Sequence, residues 1–299
     1  MQTASIVKKE KKEKKWLVYF YVLPAFLMHL LFIALPALTT FYYSFFDWNG
    51  IGAKTFIGLQ NYREMFGDSD FYVALVNNFK WILVFITVPV FLGLLMAAWV
   101  SKLKKTQMFF RTVYFLPYII AASMAGRIWC TYLNPYFGIN NVFKALGWTS
   151  LGKTLWLGNK NIALYSVMFV DLWHFWGFVM VMFLGALQQV DPTLYESARV
   201  EGASKGQEFR YITVPSIMPT LTFVIITIIM WSFLTFDYVW VMTGGGPGNA
   251  SELISTLVYR MAYSHYRTGY ASTICVFQTV LSVLAYAAMQ LVKKRGWDV

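Results

Sequence analysis

Ionisable side chains inside long apolar segments are the first candidates for chemistry in this chain. Asp171 and His174 lie three residues apart in the apolar segment 162–187, so a helix would place them on one face. An ionisable group at membrane depth marks a solute or ion pathway by default, although a structural hydrogen bond between helices explains the pair equally well. Asp237 lies close to the far end of another apolar segment, 217–242.

A polar segment, 191–215, separates those two apolar stretches and carries clear helix boundary signals. Asp191 followed by proline is typical of a helix N-cap, and Gly202 is placed to end that helix in a left-handed conformation. Ser204 with glutamine three residues later forms a capping-box pattern for a second short helix, which Pro215 should stop near Thr213. The result would be two short helices joined at a glycine, suited to receive force from a soluble partner. An ordinary amphipathic loop is the alternative.

Enzymatic chemistry has no comparable support in the sequence. The three histidines are scattered, the two cysteines fall in apolar segments, and no residues have the spacing of a metal site or of a nucleophile with its base. The glycine-rich Walker A pattern of ATPases is also absent from the sequence. We therefore do not expect this chain to be an enzyme.

The elements that must position these residues are membrane helices. The chain is 58% hydrophobic and only 13% charged, against about 25% charged in soluble domains. Six apolar segments reach the length of roughly 20 residues that a bilayer requires. They are 16–40, 81–100, 109–133, 162–187, 217–242 and 272–292. We predict an all-α, polytopic membrane protein with a six-helix domain over 16–292, a basic N-terminal segment, 1–15, and a short tail, 293–299.

The distribution of basic residues predicts the orientation. With the N-terminus inside, 16 Lys and Arg fall in the inner segments and seven in the outer loops, which places both termini in the cytoplasm. The same distribution explains the net charge of +11 without a nucleic-acid partner. Segment 191–215 then faces the cytoplasm, and lipid surrounds the helices.

The residues of the polar segment resemble the EAA loop of permease subunits of bacterial ABC importers. That family pattern is Glu-Ala-Ala, three residues, Gly, nine residues, Ile, any residue, Leu and Pro. Here Ser197 replaces the central Ala and Val214 replaces Leu. The resemblance makes residues 188–215 the coupling loop, with the ATPase contacts carried by Glu196, Ser197, Ala198, Gly202, Ala203, Ile212 and Pro215.

Other phrases extend the resemblance over nearly the whole chain. They are similar to the maltose-type and glycerol-phosphate-type permeases of carbohydrate importers, which implies the type I ABC importer permease fold. The phrases are Phe56-Ile57-Gly58-Leu59-Gln60-Asn61-Tyr62, Arg111-Thr112, Phe115-Leu116-Pro117-Tyr118, Thr243-Gly244-Gly245-Gly246-Pro247 and Gly269-Tyr270-Ala271-Ser272. The large extra outer domain of some relatives has no counterpart here.

The resemblance also implies the partners. In that family a cytoplasmic ATPase dimer binds the coupling loops, a second homologous permease completes the pathway, and an external solute-binding protein delivers the sugar. Cofactors would then be ATP and Mg on the ATPase, with none bound by this chain. The second permease in that family is usually a different, homologous subunit, which favours a heterodimer here.

Sugar binding would use aromatic rings and hydrogen-bonding groups along the pathway. We expect Asp171, Trp231 and Asp237 to line it, although aromatic residues in membrane helices are more often packing residues. Two alternatives remain open at this point. One is an ABC permease for a solute other than a sugar, and the other is an ion-coupled secondary transporter with Asp171 as the coupled carboxylate.

Overall fold

The structure is a computed structural model that describes residues 19–103 and 105–294, without the side chains of 292–294. The predicted N-terminal segment, 1–15, and residues 295–299 of the predicted tail lie outside the described residues. The chain divides into two compact units, a smaller one formed by residues up to Met65 together with Met261–Val276, and a larger one formed by Phe66–Arg260 and the residues from Phe277.

Helices make up most of the described chain. In sequence order they are α1 (Tyr19–Tyr43), α2 (Gln60–Met65), α3 (Ser69–Val100), α4 (Gln107–Ile119), α5 (Ala122–Tyr132), α6 (Ile139–Ala145), α7 (Thr149–Gly152), α8 (Ala163–Leu187), α9 (Pro192–Val200), α10 (Lys205–Leu234), α11 (Asp237–Met242), α12 (Ile254–Tyr259) and α13 (Thr268–Lys294). Single π-helical turns lie within α1 and α10 and after α12. Within residues 19–103 and 105–294, the strands are a short antiparallel pair, β1 (Phe46–Asp47) and β2 (Thr55–Phe56).

Five of these helices are long and apolar enough to cross a membrane, namely α1, α3, α8, α10 and α13. A sixth span is the pair α4 and α5, whose axes are bent by 92° at a short break. Counting that pair as one span, the prediction of an all-α protein with six membrane spans is confirmed. The observed spans start earlier than predicted in several cases, most clearly in α3 and α10.

The third span, predicted as one helix over 109–133, is broken. Pro117 lies in the last turn of α4, and Ile120 and Ala121 adopt extended backbone conformations before α5 begins. The Ile120 carbonyl that the break releases accepts a hydrogen bond of 2.8 Å from His174 Nε2. Because this partner is 54 residues away in sequence, the break cannot be read from the apolar segment itself.

The fifth span differs from its prediction at both ends. The second short helix does not stop near Thr213. It continues through the π-helical turn Phe209–Thr213 into the membrane helix, and Pro215 closely follows that turn, where the changed hydrogen-bond register accommodates its missing N–H. At the other end α10 stops at Leu234, so Asp237 begins the separate helix α11 instead of ending a long one. Thr235 is extended there, and its carbonyl accepts a hydrogen bond from Ser255.

The hydrophobic core belongs to the larger unit, where α3, α8 and α10 pack together. Trp81, Val179 and Ile228 are among its fully buried members. Gly93 of α3 lies so close to Val179 and the Met180 backbone that a Cβ atom would collide there. The core therefore depends on a close approach between α3 and α8, as small residues allow in membrane helices.

Two buried asparagines connect α3 to the segment that precedes α12. Asn77 Nδ2 donates to the carbonyls of Ala250 and Glu252 at 3.0 Å each. Asn78 Nδ2 donates to Ser232 O at 2.9 Å, and its Oδ1 accepts from the backbone N–H of Ile254. These bonds hold segment 243–260, part of a predicted outer loop, against α3 within the larger unit, since buried polar groups need such partners.

In the smaller unit, polar contacts join the β-hairpin, α2 and the start of α13. Asn61 Nδ2 donates to the carbonyls of Ser44 and Phe46, and Thr273 Oγ1 donates to the Ser44 carbonyl at 3.1 Å. Arg267 forms a bidentate ion pair with Glu64, with both N–O distances 2.6 Å. Such bidentate pairs fix geometry as well as charge.

Candidate functional site

The three residues that the sequence predicts for a solute pathway lie along one cavity. The cavity has a volume of about 340 Å³ and lies within the larger unit, between α3, α8 and the break after α10. Asp171 comes from α8, Trp231 from α10 and Asp237 from the first turn of α11. Ligand sites typically occupy such concave, mostly apolar spaces with a few polar groups. Their role as pathway residues stays a prediction.

The predicted pair of Asp171 and His174 divides into two environments. His174 is buried and donates to the Ile120 carbonyl, so it provides the hydrogen-bond partner for the carbonyl that the break in the third span leaves free. Its ring also contacts the rings of Tyr118 and Tyr238, with centroid separations of 5.3 and 5.7 Å. Asp171 lies on the cavity wall. The hydrogen-bond explanation therefore applies to His174, while Asp171 stays available to a solute.

Aromatic rings form much of the remaining wall. Trp81 and Phe85 stack with a centroid separation of 5.3 Å and an interplanar angle of 9°. Trp231 is 41% exposed and contacts Phe175 edge to face at 5.6 Å. A partly exposed indole supported from one side by another ring presents a fixed apolar face, which suits stacking against a flat solute.

The sequence analysis missed other residues of this wall. Trp81, Tyr118 and Tyr238 line the cavity, but aromatic residues in apolar segments look the same whether they pack, sit at the interface or bind. Tyr238 carries one further signal that only the structure provides. Its hydroxyl is buried and has no hydrogen-bond partner among the described residues. An unsatisfied buried hydroxyl is costly, so a water molecule or ligand is the expected partner.

The second candidate site is the predicted coupling loop, residues 188–215, and its local structure follows the sequence signals. Asp191 caps α9 by accepting a hydrogen bond from the Thr193 N–H at 2.9 Å, and this bond lowers the pKa of the Asp191 carboxyl. Gly202 has φ +82°, and the Ala203 N–H donates to the Ala198 carbonyl across the corner. The Ser204 and Gln207 capping box is complete. The predicted caps are confirmed.

Two side-chain contacts fasten α9 to the start of α10. Tyr195 Oη and Thr213 Oγ1 share a hydrogen bond of 2.9 Å. One turn further on, Arg199 Nε donates to Glu208 Oε1 at 2.9 Å, and this bond raises the pKa of the Arg199 guanidinium. Because residues 195 and 199 are four apart, both contacts lie on the same face of α9. Helix α9 and the first turns of α10 should therefore move together.

The opposite side of the loop is open. Glu196 and Ser197 are exposed, Ala198 and Ala203 are half-buried, and Gly202 has open space where a side chain would be. Ile212 and Pro215 are half-buried. Val200, which the sequence analysis did not select, is 89% exposed. The exposed side chains of Glu196 and Val200 therefore leave this side of the loop accessible.

These features define the class of protein: a polytopic helical membrane protein with an internal aromatic and acidic cavity and a capped surface loop, as expected of a transport subunit. The chain belongs to the family of binding-protein-dependent transport system inner membrane components, whose model matches residues 80–297. It is therefore a component of a membrane transporter.

Curated relatives match nearly the full length of the chain. The probable ABC transporter permease protein YurN of Bacillus subtilis (strain 168) is 36% identical over 283 residues, covering 93% of this chain and 96% of the relative. The trehalose/maltose transport system permease protein MalF of Thermococcus litoralis is 30% identical, covering 93% and 94%. The probable starch degradation products transport system permease protein AmyD of Thermoanaerobacterium thermosulfurigenes is 29% identical, covering 97% and 99%.

A solved structure shows the same fold. A chain of a bacterial ABC transporter involved in the import of the acidic polysaccharide alginate superposes with a TM-score of 0.85. The match covers 96% of this chain and 98% of that chain, at 22% sequence identity. The prediction of an ABC importer permease fold is therefore confirmed.

Proposed function

We propose that this chain is one permease subunit of an ATP-driven, binding-protein-dependent sugar importer, located in the bacterial cell membrane with both termini in the cytoplasm. It forms half of the pathway and couples to a cytoplasmic ATPase through residues 191–215. The family assignment supports the permease, and relatives named for trehalose, maltose and starch products support a sugar.

One observation carries the coupling mechanism: α10 is a continuous helix from the coupling loop to the cavity wall. It runs from Lys205 to Leu234, and Trp231 lies on its last turns. At 1.5 Å per residue, about 39 Å separate Lys205 from Trp231 along the axis. A helix of this length transmits displacement, so movement of α9 by a partner would shift the cavity wall.

The proposed partners follow from this arrangement and from the family. A cytoplasmic ATPase dimer, holding ATP and Mg, would bind the open side of the coupling loop through Glu196, Ala198 and the Gly202 corner. A second, homologous permease would complete the pathway, and an external solute-binding protein would deliver the sugar. This chain would bind no cofactor, and its cavity would contribute Asp171, Trp231 and Asp237 to sugar contacts.

The test of this proposal is ATP-driven sugar uptake by the reconstituted complex in proteoliposomes without an ion gradient. Gly202→Asp should abolish uptake and its coupling to ATP hydrolysis, because a side chain with a charge then occupies the corner at a positive φ. Gly206→Asp is the matched control, since Gly206 is helical and also has open space around it. Normal coupled uptake by Gly202→Asp, or uptake that needs an ion gradient instead of ATP, would refute the proposal.

A further inference from the structure

The charge of the cavity goes beyond the assignment of a sugar importer. We propose that the cavity accepts neutral and amino sugars and excludes acidic sugars, with Asp171 and Asp237 as the residues that set this selectivity. This inference rests on the proposed function, because it concerns the sugar that the cavity would hold. It adds a selectivity between neutral and acidic sugars, which the family description does not specify.

The described residues that line the cavity include two carboxylates and neither lysine nor arginine. The Nε2–H of His174 is not free for a ligand, because it is donated to the Ile120 carbonyl, and the ring contacts those of Tyr118 and Tyr238. Lys80, next to the cavity residue Trp81, directs its Nζ to Asn77 Oδ1 at 3.4 Å. The described wall is therefore acidic, with no lysine or arginine side chain to balance the two carboxylates.

Both carboxylates are available to a ligand. Asp171 lies on the wall beside Tyr118 and Tyr238, and Asp237 is exposed in the first turn of α11. Among the described residues, no side-chain hydrogen bond or ion pair involves the carboxylate of Asp171 or of Asp237. A carboxylate accepts hydrogen bonds only, so sugar hydroxyls or an ammonium group would satisfy it.

The surroundings make an added negative charge unfavourable. Aromatic and aliphatic side chains cover most of the wall, so charges there interact more strongly than charges in water. A uronate carboxylate would be repelled by the exposed carboxylate of Asp237 and would find no lysine or arginine on the wall, whereas a neutral sugar would donate hydroxyl protons to the acidic side chains.

Three trisaccharides of similar size separate the cases: maltotriose, the glucosamine trimer and trigalacturonate. The complex of this chain with its second permease and ATPase, in nanodiscs and without the binding protein, would be titrated with each, using saturation-transfer NMR. Leaving out the binding protein removes its own selectivity from the measurement. We expect trigalacturonate to bind at least about tenfold more weakly than the other two, because the acidic side chains of the cavity would repel its carboxylates.

Variants test whether Asp171 and Asp237 cause the weaker binding of trigalacturonate. Asp171→Asn and Asp237→Asn, singly and together, should bring the affinities for maltotriose and trigalacturonate closer, and should weaken the glucosamine trimer most. Asp47→Asn, an exposed residue that does not line the cavity, should leave all three affinities unchanged. Monodisperse elution and an unchanged thermal midpoint would show that each variant is folded; if the asparagine variants fail this check, Asp171→Glu and Asp237→Glu, which keep the charge, must keep the discrimination.

The outcomes distinguish this inference from the proposed function. Equal affinity for trigalacturonate and maltotriose, or unchanged discrimination in the double asparagine variant, overturns the selectivity while sugar transport stands. ATP-driven uptake of a trisaccharide that does not bind the complex also overturns the inference, because the sugar would then use another site. Failure of ATP-driven uptake for every sugar that binds overturns the proposed function and leaves the charge selectivity of the cavity in place.

Discussion

At the scale of single residues, burial and partners decide what an ionisable side chain does. Asp171 and His174 are three residues apart on α8, yet only the imidazole finds a backbone acceptor, at Ile120. The carboxylate, which cannot donate a hydrogen bond when ionised, gains nothing from that carbonyl. The sequence places both groups on one face, and the neighbouring helix break assigns their different roles.

Glu252 in the outer segment is a second buried ionisable residue, and it predicts a pH dependence of stability. The side chain is 1% exposed and lies 3.3 Å from Arg260, which also approaches Asp70 at 3.4 Å. Burial raises the pKa of Glu252, and the positive charge of Arg260 offsets this only in part. The folded protein therefore keeps this proton at pH values where the unfolded chain has lost it. Stability from this group is present below the unfolded pKa and is lost as the pH rises through the folded pKa.

Glu252→Gln should remove this loss, because glutamine stays neutral. We expect the difference in thermal midpoint between the variant and the wild type to grow in favour of the variant as the pH rises from about 4 to 8. The gain should reach a few °C, which corresponds to a free energy on the order of 1 kcal/mol. Glu64→Gln, which alters an exposed ion pair with Arg267, should keep the wild-type pH profile. Parallel profiles for Glu252→Gln and wild type would show that burial does not control this carboxyl.

At the scale of residues, the sequence predicts features that depend on neighbouring positions and misses features that depend on contacts between distant parts of the chain. The caps at Asp191, Gly202 and Ser204 are correct because each involves residues at most a few positions apart. Asp171 stands out because a charge in an apolar run is rare. Tyr238 does not stand out, since only the folded structure leaves its hydroxyl without a partner.

At the scale of elements, the contact between α4 and α8 depends on one glycine. A Cβ atom at Gly177 would collide with the Tyr114 carbonyl oxygen and approach the Phe115 backbone. Gly185, two turns further along the same helix, has open space at the same position. The same substitution, glycine to alanine, should therefore have different effects on stability at Gly177 and Gly185.

Gly177→Ala should destabilise the protein, because a backbone cannot move aside as a flexible side chain can. Overpacking typically costs about 1–3 kcal/mol, and a collision with backbone belongs at the upper end. Gly185→Ala should be neutral or slightly stabilising, since alanine favours helices over glycine. Thermal unfolding of the two variants in detergent measures the difference, and equal midpoints would mean that α4 and α8 do not approach this closely.

The contact between α9 and α10 gives a second prediction at this scale, which concerns coupling more than stability. Arg199 is 64% exposed, so its ion pair with Glu208 should add little to the stability of the fold. Its expected role is to make α9 and α10 move as one body. Arg199→Glu should reduce sugar uptake per ATP hydrolysed severalfold, because it places like charges together.

The charge-swapped double variant, Arg199→Glu with Glu208→Arg, restores an opposite pair and should recover most of the coupling. A merely structural effect would lower expression or ATPase binding in step with uptake, so both are measured beside the ratio of uptake to hydrolysis. If the double variant couples no better than Arg199→Glu alone, this ion pair does not transmit movement.

The elements also show why helix existence is easier to predict than helix breaks. All six apolar segments contain helices, because the bilayer length requirement is visible in composition alone. The breaks at Ile120 and Thr235 are invisible there, since His174 and Ser255 satisfy the freed carbonyls from other parts of the chain. The predicted stop at Thr213 fails because the π-helical turn Phe209–Thr213, just before Pro215, lets the helix continue past the proline.

At the scale of the whole molecule, the proposed mechanism requires one orientation in the membrane. Coupling to a cytoplasmic ATPase works only if the loop 188–215 faces the cytoplasm. The bias of Lys and Arg, 16 in the inner segments against seven in the outer loops, predicts that side. Positions 153 and 205 sample opposite sides, because α8 separates the segments in which they lie.

Single cysteines at these two positions test the orientation. Lys153 and Lys205 are both exposed, and the background would replace Cys130 and Cys275 with alanine. A membrane-impermeant maleimide should label Lys153→Cys in right-side-out vesicles and Lys205→Cys only in inverted vesicles. Retained sugar uptake shows that each variant is assembled. Labelling of Lys205→Cys from the outside would place the coupling loop away from ATP, and the ATPase-driven mechanism could not then operate through residues 191–215.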